Sequence, residues 1–150
     1  VLPSADLWSG WFDGSAAPNP GRIGIGVLLI SPGGERFNTS LKTSFHGCSN
    51  EAELHALIAA LEFALEASCR RLILHGDSQV AIRYVDGEDQ TRIPRLTSLI
   101  VTAQRLQAHF DLLQLRWVPR HRNAEADQLS RAALGLACES LSSHPENASL

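Results

Sequence analysis

The sequence predicts an α/β fold, a five-stranded mixed sheet with helices on its faces. Two observations predict it. Apolar residues recur at every second position over the first third of the chain, and beyond that point the period becomes helical and alternates with short apolar runs. A length of 150 residues fits one domain, enough to bury a core without disulfides or a structural metal.

Residues 7–12 (LWSGWF) read as a strand ending at Asp13, with a loop after it, because Ala16 to Gly21 (AAPNPG) is dense in turn formers. From Arg22 to Ile30 the alternation of Ile23, Ile25 and Val27 with Gly24 and Gly26 predicts a second strand. Ser-Pro-Gly-Gly at 31–34 turns the chain into a third strand near 35–46, completing an antiparallel meander. Leu54, Leu57, Ile58, Leu61 and Leu65 then share one helical face. Arg71 to His75 is a short buried strand ending at Gly76 and Asp77, and residues 78–86 suit a short helix. After a polar loop at 87–92, Pro94 to Phe110 forms an amphipathic helix with proline in its first turn. Leu112 to Val118 is the last strand and Asn123 to Leu134 the last helix. Residues 1–137 are therefore expected to form the domain and 138–150 a weakly structured tail.

Composition narrows the function classes. No apolar run approaches the roughly 20 residues that span a bilayer, so no membrane role is expected. The N-terminus shows no leader-like pattern, and Cys48, Cys69 and Cys138 lack metal-type spacing, which sets the expectation of a monomer in a reducing cytoplasm. A net charge of −3 gives no global signature of a nucleic-acid binder. Of the 13 basic residues only Lys42 is not arginine, and pairs at Arg70/Arg71, Arg92/Arg95 and Arg120/Arg122 offer forks suited to phosphate.

Four acids stand where an active site is expected, and each also has a structural explanation. Asp13 precedes Gly14, common turn chemistry, yet it closes an apolar segment that looks central to the sheet. Glu53 shares a helical flank with Leu57, Ala60 and Ala64, whereas Glu51 lines up with His55, Glu62 and Glu66 on a solvated face. With Asn50 as cap, Glu53 also fits a capping box. Asp77 ends a buried strand or caps the next helix, and Asp127 stands four residues before Arg131, ion-pair spacing. Taken together, four clustered carboxylates repel unless cations neutralise them, and hard oxygen ligands suit Mg²⁺, with Mn²⁺ as a substitute, better than zinc. Two such ions, about 3.5–4 Å apart, serve phosphodiester hydrolysis.

Four segments taken in order, FDGSAAPNPG (12–21), NEAELHALIAALE (50–62), GDSQ (76–79) and WVPRHRNAEADQLSRAAL (117–134), resemble type 1 ribonuclease H. The resemblance spans residues 8–135 and implies a ribonuclease H-like α/β fold that hydrolyses the RNA strand of RNA/DNA hybrids. It implies that Asp13, Glu53, Asp77 and Asp127 bind two metal ions, that His121 assists proton transfer or product departure, and that Asn19, Asn50 and Gln79 touch the hybrid. Amide side chains are apt for a 2′-hydroxyl, which both donates and accepts. Many members carry a basic protrusion after the third acidic motif; here that region (AIRYVDGEDQTRIP) is short and acidic, which predicts weak, salt-sensitive hybrid binding. The segment Pro119 to Arg122 also departs from the family's pattern around its histidine. Two other functions fit parts of the pattern: a hybrid-binding module with vestigial nuclease activity, and another nuclease of the same fold.

Overall fold

The computed structural model describes residues 6–136, so the tail expected at 138–150, with Cys138, lies outside the described residues. Five strands form one sheet: β1 (Trp8–Ala17), β2 (Gly21–Ile30), β3 (Arg36–Gly47), β4 (Arg71–Gly76) and β5 (Leu112–Trp117), in the order β3-β2-β1-β4-β5. The first three are antiparallel neighbours, while β4 and β5 run parallel to β1. The helices are α1 (Ser49–Glu66), α2 (Gln79–Val85), α3 (Pro94–Gln107) and α4 (Ala124–Ala133), and a single 3-10 turn at Arg120–Arg122 leads into α4.

The two-residue period of β2 sends Ile23, Ile25, Val27 and Leu29 to the face covered by α1, and Gly24 and Gly26 to the face covered by α4. The turn after β2 closes through Gly34, whose φ of 92° is costly for any residue with a Cβ. Helix α1 lies between the sheet and α3, so apolar and small residues are buried around most of its circumference rather than on one stripe. Phe12, Leu54, Leu57, Leu61, Leu72 and Leu74 are fully buried there, each contributing roughly 1.5–3 kcal/mol of burial. Helix α4 packs against β1, β2 and β3 on the opposite face, so helices cover both faces as expected. Among the described residues no helix is long and apolar enough to cross a membrane.

One strand departs from expectation. Strand β1 does not end at Asp13 but runs on to Ala17, because its antiparallel pairing continues through Asp13↔Gly26, Gly14↔Ile25 and Ser15↔Gly24. Only the parallel pairing with β4 stops, at Phe12↔Gly76. Asp-Gly here is strand rather than turn, and Asp13 sits where the sheet loses one neighbour and keeps the other.

Candidate active site

Three close contacts, each made by a small residue, carry the four acids to one place. Phe12 faces Gly76 across the β1–β4 pair, and a Cβ on that glycine would fall 2.4 Å from the Phe12 ring. The next residues along the two parallel strands are Asp13 and Asp77. A Cβ on Gly14 would lie 2.0 Å from the Ala52 carbonyl oxygen, so α1 rests directly on β1 and presents its next residue, Glu53. On the other face, a Cβ on Gly26 would lie 2.2 Å from the Ala126 carbonyl oxygen, and the residue after Ala126 is Asp127. Backbone approaches this close exist only where a side chain is missing.

The result is a cleft of ≈ 200 Å³ lined by Asp13, Glu53, Asp77 and Asp127, with Arg120 and Arg131. Carboxylate oxygens of Asp13, Glu53 and Asp77 all lie within 4.8 Å of one another, while Asp127 lines the same cleft outside that trio. Neutral donors hold the carboxylates in place. The Gly14 N–H donates to Glu53 Oε1 at 3.0 Å, and Asn123 Nδ2 donates to Asp77 Oδ2 at 3.2 Å and to the Phe12 carbonyl at 2.9 Å. The buried Ser130 hydroxyl lies 2.7 Å from Asp13 Oδ2 and 2.7 Å from Ser15 Oγ. Its one proton belongs with the carboxylate, where the bond is charge-assisted, leaving Ser15 to donate to Ser130.

These bonds do not offset the electrostatic strain. Asp13 is only 4% exposed, and burial pushes its carboxyl up to about 8; the Ser130 bond opposes the rise, and Asp77 and Asp127 add to it. Burial, with the charges of Asp13 and Asp77, raises Glu53 well above the usual carboxylate range against the pull of the Gly14 N–H. Asp77 is raised by burial too, with the Asn123 bond opposing. A donor set made wholly of carboxylate oxygens, under-neutralised by the surrounding protein, fits a hard divalent cation.

The remaining candidate residues divide. Asn19 Oδ1 accepts from the Ser49 N–H at 3.0 Å at the start of α1, Asn50 is the exposed next residue of that helix, and Gln79 is exposed as the first residue of α2. His121 is exposed on the 3-10 turn and lines a neighbouring hollow; its neighbour Arg120 lines the carboxylate cleft. Two helix-start expectations are corrected. Helix α1 is capped at Cys48, with Glu51 and not Glu53 reaching back: Glu51 Oε1 accepts from the Cys48 N–H at 3.0 Å. Glu51 is not on a solvated face either, being 8% exposed and paired with Arg95 Nε at 3.0 Å. Helix α2 is capped by Ser78, which accepts from the Ala81 N–H at 3.1 Å, so Asp77 is not needed as a cap. Ser130 and Asn123 were not singled out from the sequence, whereas Arg120 was named there as one of a pair suited to phosphate; the only signal for Ser130 was its place three residues after Asp127 on one helix face.

Comparison with known proteins places this geometry. Residues 11–133 match the family described as reverse transcriptase-like. Ribonuclease HI of Halobacterium salinarum is 36% identical over 124 residues, which cover 83% of this chain and 62% of that protein, so the chain spans less than two thirds of that relative. The crystal structure of RNase H1 from the same archaeon superposes with a TM-score of 0.82 at 34% identity, covering 86% of this chain and 98% of that one. LC11-RNase H1, isolated from compost by a metagenomic approach and solved in complex with an RNA/DNA hybrid, gives a TM-score of 0.77 at 27% identity, with 85% and 96% covered. The chain belongs to the reverse transcriptase-like family and, within it, to type 1 ribonuclease H.

Proposed function

We propose that the protein is an endonuclease that hydrolyses the RNA strand of RNA/DNA hybrids with two divalent ions, Mg²⁺ or in its place Mn²⁺. The observation that carries this reading is the trio of acids within 4.8 Å, buried enough to raise their proton affinity and steadied by neutral donors. Asp13, Glu53, Asp77 and Asp127 would hold the ions. When bound, such ions neutralise the cluster, activate water and stabilise the leaving oxygen of a phosphodiester.

The chain's own residues do the positioning. Ser130, the Gly14 N–H and Asn123 fix the orientation of Asp13, Glu53 and Asp77, so the carboxylates need little rearrangement as charge enters the cleft. Arg120 and Arg131, lining that cleft, suit a phosphate oxygen. Asn19, Asn50 and Gln79 are exposed, and their amide groups would address sugar hydroxyls. His121, on its exposed turn next to Arg120, would assist proton transfer or product departure. The loop after α2 adds no net positive charge: Arg83 is engaged by Asp89 at 2.8 Å and by Glu88 at 3.7 Å, which supports weak hybrid binding that falls steeply with salt. Among the described residues Cys48 and Cys69 are free, which supports a reducing cytoplasm, and a monomer is the oligomeric state we propose.

The test is to incubate labelled hybrid, duplex DNA and duplex RNA with Mg²⁺ and then Mn²⁺. RNA loss from the hybrid alone is expected, and Asp13→Asn abolishes it without unfolding the protein. A near-normal rate in that variant overturns the site, and cleavage of duplex DNA overturns the substrate.

A further inference from the structure

The parallel strands β4 and β5 end in register, Gly76 opposite Trp117. One residue beyond Gly76 stands Asp77 and three beyond Trp117 stands Arg120, and both line the carboxylate cleft. Ligands bind at such carboxyl ends of parallel strands. The connection from β5 to α4 therefore runs along the rim of the cleft, beginning at Trp117 beside Asp77 and ending at Arg122, which lines the neighbouring hollow on the α4 face.

Trp117 differs from the other two tryptophans. Trp8 stacks on Phe37 with centroids 5.8 Å apart and Trp11 on His75 at 4.7 Å, whereas Trp117 stacks on no ring among the described residues and is 47% exposed. A single apolar residue in water is ordinary. What sets this one apart is its anchor: its indole N–H donates to the Asp77 carbonyl at 3.2 Å, so a wide apolar surface is fixed to the backbone of a cleft acid. Charge follows the same segment. Residues 117–122 (WVPRHR) hold the exposed Arg120, His121 and Arg122 and no acid, and Arg122 forms no ion pair among the described residues. The connection between α2 and α3 is its opposite, with Asp86, Glu88 and Asp89 against Arg92 alone.

We infer that the rim from Trp117 to Arg122 is the grip on the hybrid, the Trp117 ring packing against a sugar of the bound duplex and Arg122 holding a phosphate outside the cleft. The inference rests on the function proposed above and adds two substrate-binding residues to it. Within a duplex the bases stack on one another, so the apolar surface offered to a fixed ring is the sugar. A guanidinium without a carboxylate partner suits a phosphate. The two contacts should differ in kind: the ring's contribution is independent of salt, whereas that of Arg122 releases counterions and falls as salt rises.

The test is the affinity of the whole protein for a fluorescein-labelled RNA/DNA hybrid, read by anisotropy over a range of salt in EDTA, so that nothing is cleaved. Trp117→Ala should bind about tenfold more weakly at every salt concentration, with the slope of log affinity against log salt unchanged. Trp117→Phe keeps a ring and loses the N–H; it should bind as the wild type does, while the quenching of tryptophan emission by hybrid disappears. Arg122→Gln, at an exposed position, should lower the slope by about one. Arg83→Gln, in the acidic connection, should change neither affinity nor slope. Wild-type affinity and slope in both Trp117→Ala and Arg122→Gln, a Trp117→Phe protein as weak as Trp117→Ala, or the largest loss in Arg83→Gln overturns the inference and leaves the proposed function standing. A wild type that neither binds nor cleaves hybrid overturns both.

Discussion

Glu51 and Glu53 stand two residues apart in the first turns of α1, both withdrawn from solvent, and the protein treats them in opposite ways. Glu51 is answered from three directions: the Cys48 N–H and Arg95 Nε each bond its Oε1 at 3.0 Å, and Gly47 leaves room for the carboxylate, since a Cβ there would lie 2.6 Å from it. The outcome is a carboxyl held below its usual range, where its hydrogen bonds and Arg95 outweigh burial. Glu53 faces two other acids and one N–H donor, and its proton affinity rises. A buried acid whose charge is matched by the protein is a structural element, whereas one left unmatched among like charges is waiting for a cation.

The largest effect should come from breaking the contact that sets Glu53 in place. Gly14→Ala puts a methyl 2.0 Å from the Ala52 carbonyl, and backbone cannot swing aside as a side chain would. Denaturant titration should show a loss of about 3 kcal/mol or more, with α1 displaced from β1. A variant of ordinary stability would mean that the helix does not rest on the strand.

Exchanging the two glutamates separately sharpens the comparison. Glu53→Gln keeps an acceptor for the Gly14 N–H and removes a like charge, so the metal-free protein should melt at the same temperature or higher while hydrolysis falls by roughly 100-fold or more. Glu51→Ala should do the reverse, losing about 1–2 kcal/mol with the cap and keeping the rate per folded molecule. Thermal melts and single-turnover rates on both proteins check the pair, and identical behaviour would dissolve the distinction.

The same contrast should show as a slope against pH in metal-free buffer. Asp13 binds its proton more tightly folded than unfolded, so the stability it lends is complete below its unfolded value of 3.8 and is lost as pH rises through about 8. Glu51 binds its proton less tightly folded; its contribution is present above 4.5 and disappears as pH falls through its lowered value. Melting curves should therefore flatten on the neutral limb in Asp13→Asn and on the acid limb in Glu51→Ala.

The difference between the two glutamates also marks what the sequence could reveal. The meander, the helix-strand alternation and the four acids were legible because each depends on local periodicity or on a motif within a few residues. Glu51 was misplaced because a helical wheel knows only its own helix; the arginine that accepts it is 44 residues away, and the room for it comes from Gly47. Asp13-Gly14 read as a turn because the pair is common in turns, and only the continuing partners on β2 keep it extended. Asn123 carried no signal of this role and Ser130 only its helical spacing from Asp127, since a neutral polar residue gains its role from what tertiary packing sets beside it. The sequence could point to the acids that gather in one cleft but not to the neutral groups that hold them.

Calorimetric titration of the metal-free protein with Mg²⁺ and with Mn²⁺, in two buffers of different ionisation enthalpy, tests most directly whether the unmatched acids form a cation site. The wild type should bind divalent ion and release protons, because the cluster gives up what it holds near neutral pH, and Asp13→Asn should lose both signals. Absence of divalent binding to the folded wild type, or binding undiminished in Asp13→Asn, would contradict it.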